Sequence, residues 1–216
     1  MGAQSTDHPP ISNSQVATAL SPYKLKTLSE GQLTSIGTYV NLLKKWNQTI
    51  PLTSLEEDSE VVSRHFGESI FASQLIPMET GRLADVGSGA GFPGLALKIA
   101  LPALRVTLLE SNVKKCAFLR EVKEKLALTN TDIVRCPYEE FTMPERLDFI
   151  CARALGNYRH MLHWARSVIK PTGRVILWLG VDDSIAIGRV KDWRWELPVN
   201  IPESRRRIIL IGRCPS

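Results

Sequence analysis

Ten residues, Asp85-Val86-Gly87-Ser88-Gly89-Ala90-Gly91-Phe92-Pro93-Gly94, carry the densest chemical signal in this chain of 216 residues. They lie between the apolar run Leu83–Val86 and an apolar helical pattern through Leu95–Ala100. A glycine-rich turn from strand to helix lets a ligand approach bare main chain, because side chains would block it. It also brings free amides to a helix N-terminus. Two cofactor classes compete for such a turn. Gly89-x-Gly91-x-x-Gly94 satisfies the dinucleotide pattern, and Glu110, 21 residues after Gly89, ends the next strand-like run where it can hold a ribose. Gly87-x-Gly89-x-Gly91 preceded by Asp85 is the acidic glycine turn used to bind S-adenosylmethionine (SAM). The plain alternative is a turn that serves tight strand–helix packing.

Three features favour SAM. The apolar strand ends at Val86, so Gly87 is the first glycine of the turn. Asp85 sets a carboxylate beside it, suited to a cationic amino-acid moiety and hostile to a pyrophosphate. The closing strands described below belong to a methyltransferase sheet rather than to a second dinucleotide-binding half. Asp85, Gly87, Ser88, Gly89 and Gly91 are thus candidate cofactor contacts. Glu110 suits the ribose of either cofactor. Tyr138-Glu139-Glu140-Phe141, after the third strand, is placed for the adenine edge, or is simply an acidic helix start.

Methyl transfer from a sulfonium is an in-line displacement, so the protein's work is positioning and electrostatics. The Asn/Asp-Pro-Pro-aromatic run common in exocyclic amine methylation is absent: its place reads Cys151-Ala152-Arg153-Ala154. Cys136-Pro137 resembles a pyrimidine-methylating nucleophile but follows the wrong strand. What remains is an acceptor with a free lone pair and no proton to lose, such as a purine ring nitrogen. Arg153, at the tip of the fourth strand, is the candidate catalytic residue.

The elements that must position these residues alternate. Strands are expected at Leu83–Val86, Val106–Leu109, Asp132–Arg135, Leu147–Cys151 and Arg174–Trp178, with helices between and Pro171-Thr172-Gly173 as a turn. Trp193–Leu197 and Arg206–Arg213 are too close for an intervening helix and should pair as a hairpin. The expected fold is α/β: a doubly wound, mostly parallel, seven-stranded Rossmann-like sheet with an antiparallel edge hairpin. Residues 1–20, rich in polar residues and proline, read as a mobile tail. Residues 21–80 read as an N-terminal helical cap, with a capping box at Ser29 and Gln32 and a second helix over Asp58–Gln74. Residues 81–216 form the expected catalytic domain.

Composition sets the class. Apolar residues make up 44% and charged residues 23%, which is ordinary for a globular domain and excludes wholesale disorder. No run approaches a membrane span, no secretory leader is visible, and Cys116, Cys136, Cys151 and Cys214 have no metal spacing. A cytoplasmic monomer without metal is expected. Residues 150–216 hold 12 Lys and Arg against 5 Asp and Glu, a net +7, whereas residues 1–149 hold 15 against 17, a net −2. The basic third, with Arg205-Arg206-Arg207, points to a polyanionic partner.

Together the motifs resemble the GidB (RsmG) family of small-subunit ribosomal RNA methyltransferases. The resemblance rests on Leu83–Gly94 (LADVGSGAGFPG), Leu108–Leu119 (LLESNVKKCAFL), Tyr138–Phe141 (YEEF), Cys151–Ala154 (CARA), Trp46, Leu52-Thr53-Ser54 and Arg64-His65, and spans about residues 25–213. It implies a SAM-dependent enzyme that methylates N7 of one guanine in 16S ribosomal RNA. It further implies cofactor contacts at Gly87, Phe92, Glu110, Tyr138, Glu139 and Arg153, and a place near substrate for Arg64 and His65. Without the resemblance, Arg64 would simply pair with Glu68 on a solvated helix face. The chain departs from the family pattern at Pro51, Glu68, Cys151-Ala152 and Leu177-Trp178-Leu179-Gly180, where a lysine is missing. An NAD-type oxidoreductase and a non-catalytic RNA-binding protein on the same scaffold are the competing readings.

Overall fold

Ser12 opens the first helix of the described residues. In the computed structural model, which describes residues 10–214, its hydroxyl accepts from the Gln15 amide while the Gln15 side chain reaches back to Ser12, a capping box that starts α1 (Asn13–Leu20). This corrects the expected tail: Val16 and Leu20 are buried, and only residues 1–9 of it lie outside the described residues. Ser29 and Gln32 repeat the box at α2 (Glu30–Asn47), whose Leu33, Ile36, Tyr39, Val40 and Leu43 face inward.

The expected second helix runs over residues 58–74 but is not uniform. It passes from α3 (Asp58–Val61) through a π-helical stretch (Val62–Gly67) to α4 (Glu68–Phe71) and a 3₁₀ turn (Ala72–Gln74). Within the π stretch the Glu68 amide donates to the Ser63 carbonyl, five residues back. The extra residue shifts the phase of the helix and turns Glu68 into the protein, fully buried.

From Arg82 the alternation appears as expected. β1 (Arg82–Val86), α5 (Gly94–Ala100), β2 (Arg105–Leu109), α6 (Val113–Lys125), β3 (Thr131–Val134), β4 (Leu147–Arg153), α7 (Tyr158–Val168), β5 (Ile169–Gly180) and α8 (Val181–Gly188) follow in turn. β6 (Arg194–Trp195), β7 (Val199–Asn200) and β8 (Arg207–Arg213) close the sheet, whose order is β3-β2-β1-β4-β5-β8-β6, with β7 also on β8. β1 to β5 are parallel, and β8 lies antiparallel between β5 and the edge. The strand order reverses beside β1, which is where a doubly wound sheet opens its ligand crevice.

Two local expectations are revised. Pro171-Thr172-Gly173 is not a turn but a bulge inside β5: the register jumps from Leu147↔Ile169 to Phe149↔Arg174. The expected sixth strand, Trp193–Leu197, shortens to β6, and a separate β7 follows it, because Pro198 has no N–H to give the ladder and Leu197 swings into solvent at 88% exposure.

Alternate residues of each strand enter opposite cores. Leu83, Leu108, Phe149, Ile176 and Ile209 join one apolar cluster with α1–α6, while Ala84, Leu109, Ile150, Leu177 and Leu210 join another under α7 and α8. The N-terminal helices and one face of the sheet therefore share a single core. Among the described residues, no helix is long and apolar enough to cross a membrane and no group of His, Cys, Asp and Glu is arranged to hold a metal.

Candidate active site

The glycine turn leaves β1 at the switch point with Gly87, Gly89 and Gly91 at φ +68°, +56° and +84°, a region that side-chain-bearing residues avoid. Four of its amides are not free, contrary to the sequence expectation. Gly87 and Ser88 donate to the Leu109 carbonyl (2.9 and 3.1 Å), Gly91 to the Ser88 carbonyl (2.7 Å), and Gly89 to Glu110 Oε2 (2.8 Å). Glu110 Oε1 takes the Asn112 amide at 2.8 Å, so one carboxylate ties the turn to the start of α6. A pyrophosphate needs vacant amides and no anion beside them. This turn has the reverse, which disfavours the dinucleotide reading.

The outer side of the turn is bare. A Cβ on Gly89 would meet only the Gly87 carbonyl at 3.7 Å, and one on Gly87 only Leu155 Cδ1 at 3.3 Å. A neutral nucleoside can lie against such main chain. Glu110, with lone pairs left beyond its two amides, can accept from ribose hydroxyls. The residues present therefore fit SAM.

The inner side is occupied by the protein itself. Asp85 is fully buried; its Oδ2 accepts from the Gly94 amide at 3.0 Å, capping α5 from the neighbouring strand. Burial pushes its carboxyl up to about 7. Its carboxylate is turned to α5 rather than to solvent, where the sequence expectation put a cationic amino-acid moiety. Ser88 is likewise buried, its hydroxyl donating to the Asp85 carbonyl (2.9 Å). Gly91 is a packing glycine: a Cβ there would sit 2.2 Å from Tyr39 Oη. The Phe92 ring is stacked between His65 (4.6 Å) and Tyr39 (5.3 Å) with Phe66 on its edge, so its side chain is engaged in packing.

Arg153, at the tip of β4, is 17% exposed and held twice. Nη1 donates to the Arg64 carbonyl (2.9 Å), and Nη2 lies 3.2 Å from Glu68 Oε2. Glu68 Oε1 is 2.6 Å from Arg207 Nη2, and its own carbonyl takes the Trp178 indole N–H at 2.8 Å. Glu68, Arg153, Leu155, Tyr158, Trp178 and Arg207 help line a cavity of about 240 Å³ at the carboxyl ends of β4 and β5. The expected Arg64–Glu68 pair does not form: Arg64 bonds Glu60 (2.7 Å), because the π stretch turns Glu68 inward. Burial, with Arg153 and Arg64 nearby, pulls His65 down to about 3, and its Nε2 shares a 2.8 Å hydrogen bond with Thr53. His65 is therefore a neutral imidazole.

Several expected site residues lie elsewhere. Tyr138 bonds His160 (3.1 Å) and packs on Trp164, and Glu139 approaches His160 at 3.3 Å, so both side chains serve α7. Burial pushes the Tyr138 hydroxyl up to about 12 and raises the Cys136 thiol, which argues against a cysteine nucleophile. Arg205 and Arg206 are exposed, whereas Arg207 is drawn inward to Glu68.

A family model described as rRNA small subunit methyltransferase G matches residues 32–191. The chain belongs to the rRNA small subunit methyltransferase G family. Relatives of that name in Acetivibrio thermocellus and Yersinia pseudotuberculosis are 34% and 36% identical over 202 and 164 residues, covering 86% and 74% of this chain and 82% and 79% of theirs. The fold has wider company. A SAM-dependent methyltransferase from Aquifex aeolicus superposes with a TM-score of 0.62 at 16% identity, over 81% of this chain and 98% of that one. A glycopeptide N-methyltransferase complexed with S-adenosyl-L-homocysteine gives 0.59 at 11% identity, over 68% and 89%.

For a member of this family, the residues that sequence reasoning overlooked are Glu68, Tyr39 and Trp178. Glu68 had no signal, since the π-helical phase that turns it inward is not visible in the spacing of residues. Tyr39 had none, since its role is a contact with a turn 51 residues away.

Proposed function

We propose that this chain transfers the methyl group of SAM to N7 of a guanine in 16S ribosomal RNA, in the cytoplasm. The observation that carries the reading is the turn at Gly87–Gly89, bare outside, with its amides consumed inside and Glu110 closing its rim. Family membership supplies the substrate class, and the basic last third of the chain supports an RNA partner.

When bound, SAM supplies a methyl group on a positively charged sulfur. A ring nitrogen such as N7 would accept that methyl group on its lone pair without losing a proton, so no general base is asked of the protein. The side chains agree with that economy: His65 is kept neutral and engaged by Thr53, and Arg153 is a cation unable to accept a proton. The work left to Arg153, held by Arg64 and Glu68, is to fix the base against the cofactor. Exposed Arg205 and Arg206 would meet backbone phosphates and set the register of the RNA.

The test is transfer of labelled methyl from SAM to small-subunit RNA, offered naked and as the particle, followed by mapping of the modified base. Label at a guanine N7 is expected. Arg153→Ala should lose turnover by about a hundredfold or more while staying folded. Near-native turnover would make Arg153 peripheral. RNA binding without methyl incorporation would favour the non-catalytic reading, and a rise in melting temperature with NADH but not SAM would favour the oxidoreductase.

A further inference from the structure

We infer that Glu68 is the positioning residue of the methyl-transfer site: its buried carboxylate holds the Arg153 guanidinium at the crevice and ties it to Arg207 of the closing strand. The inference rests on the function proposed above and names a residue that function does not itself require.

Glu68 is wholly inaccessible to solvent, and a carboxylate is brought into a protein interior only when its charge is compensated. Compensation here comes from two guanidiniums supplied by strands far along the chain, at 3.2 Å from Arg153 and 2.6 Å from Arg207. The geometry is that of a strut rather than a saturated network. Neither carboxylate oxygen has an aligned hydrogen-bond donor, so the attraction is Coulombic and acts at short range in a poorly solvated place.

Two further contacts and the phase of the helix fix the strut. Arg153 is anchored on its other side by the Arg64 carbonyl, so its guanidinium has two holds and little rotational freedom left. The Glu68 backbone carbonyl receives the Trp178 indole, locking the turn of α4 that presents the carboxylate. The π stretch immediately before Glu68 sets the phase that aims it inward. All three charged residues line the same 240 Å³ cavity. Arg153 is therefore pre-set before any base arrives, and the side chain that sets it also reaches Arg207, the first residue of β8, directly after the exposed Arg205 and Arg206.

A residue acting through Arg153 is distinguishable from one that merely supports the fold. Glu68→Gln keeps the shape and removes the charge. In the wild-type background kcat is expected to fall about tenfold or more, with S-adenosyl-L-homocysteine affinity and KM for RNA within about threefold. In an Arg153→Ala background the same substitution should cost less than about twofold, because the cation it positions is already gone. Glu68→Asp, which keeps the charge with a shorter reach, should recover part of the loss. Folding is checked by melting temperature in each case. A folded Glu68→Gln protein with wild-type kcat, or an equal loss in both backgrounds, overturns the inference. If Glu68→Gln does not fold, the same cycle is run with Glu68→Asp, for which unchanged kcat in the wild-type background overturns it. Wild-type protein that methylates no RNA would instead overturn the proposed function.

Discussion

The two ends of the glycine turn look alike in sequence and do different work. At Gly87–Gly89 the added Cβ atoms would point into open space or brush Leu155. At Gly91 and Gly94 they would strike Tyr39 Oη at 2.2 Å and Asp85 Oδ2 at 2.7 Å. One end is left bare toward the crevice, and the other is bare because protein packs against it. A glycine motif is thus two structural requirements joined end to end, and the proposed cofactor role falls to only one of them.

The sharpest way to break this division is at its inner end. Gly91→Ala combines strain at φ +84° with a collision against Tyr39 and should cost roughly 3 kcal/mol of stability. That corresponds to a fall in melting temperature of about 6–12 °C for a chain of this size. An unchanged melting curve would mean that Gly91 is not a packing glycine. The outer end should respond in the opposite currency. Gly87→Asp is expected to weaken S-adenosyl-L-homocysteine binding about a hundredfold by calorimetry, through charge and bulk in the crevice, with a smaller loss of stability than Gly91→Ala. Retained affinity would remove the cofactor from this turn.

The smallest effect sharpens the picture on the inner side. His65 is stacked on Phe92 and held neutral, with its pKa lowered from 6.5 to about 3. A lowered folded-state value stabilises fully above pH 6.5, and that contribution is lost progressively as pH falls toward 3, because the unfolded chain takes up the proton first. Buried Asp85, raised to about 7, acts with the opposite sign, losing stability as pH rises from about 4 to 7. Comparing wild type with His65→Gln cancels the Asp85 contribution, so the gap in melting temperature between them should shrink steadily below pH 6. Parallel profiles would show that His65 is not neutral in the folded protein.

Much of the scaffold was legible because it rests on local periodicity. The capping box at Ser29, the five parallel strands and the closing antiparallel strand follow from spacing and turn chemistry within short windows. The misread segments were ones where another part of the chain intervened. Residues 13–20 look polar, yet Val16 and Leu20 find a core to enter. Pro171-Thr172-Gly173 has turn composition, yet its neighbours pair with β4 on either side of a bulge. In the site, Gly87, Gly89, Glu110 and Arg153 stand where the sequence reading put them, at the ends of strands. The side chains of Asp85, Phe92, Tyr138 and Glu139 find protein partners, because a motif specifies the path of the backbone more firmly than the destination of each side chain.

The order of types along the chain was enough to determine an α/β sheet with a bare turn after its first strand, since each depends on contacts only a few residues apart. Partnerships across the chain were decided by folding alone. That Glu68 should be buried between Arg153 and Arg207, or that Tyr39 should require a glycine at position 91, depends on which surfaces meet once the helices close over the sheet. Charge compensation and close packing act over distance in space, and the linear spacing of residues does not carry that distance.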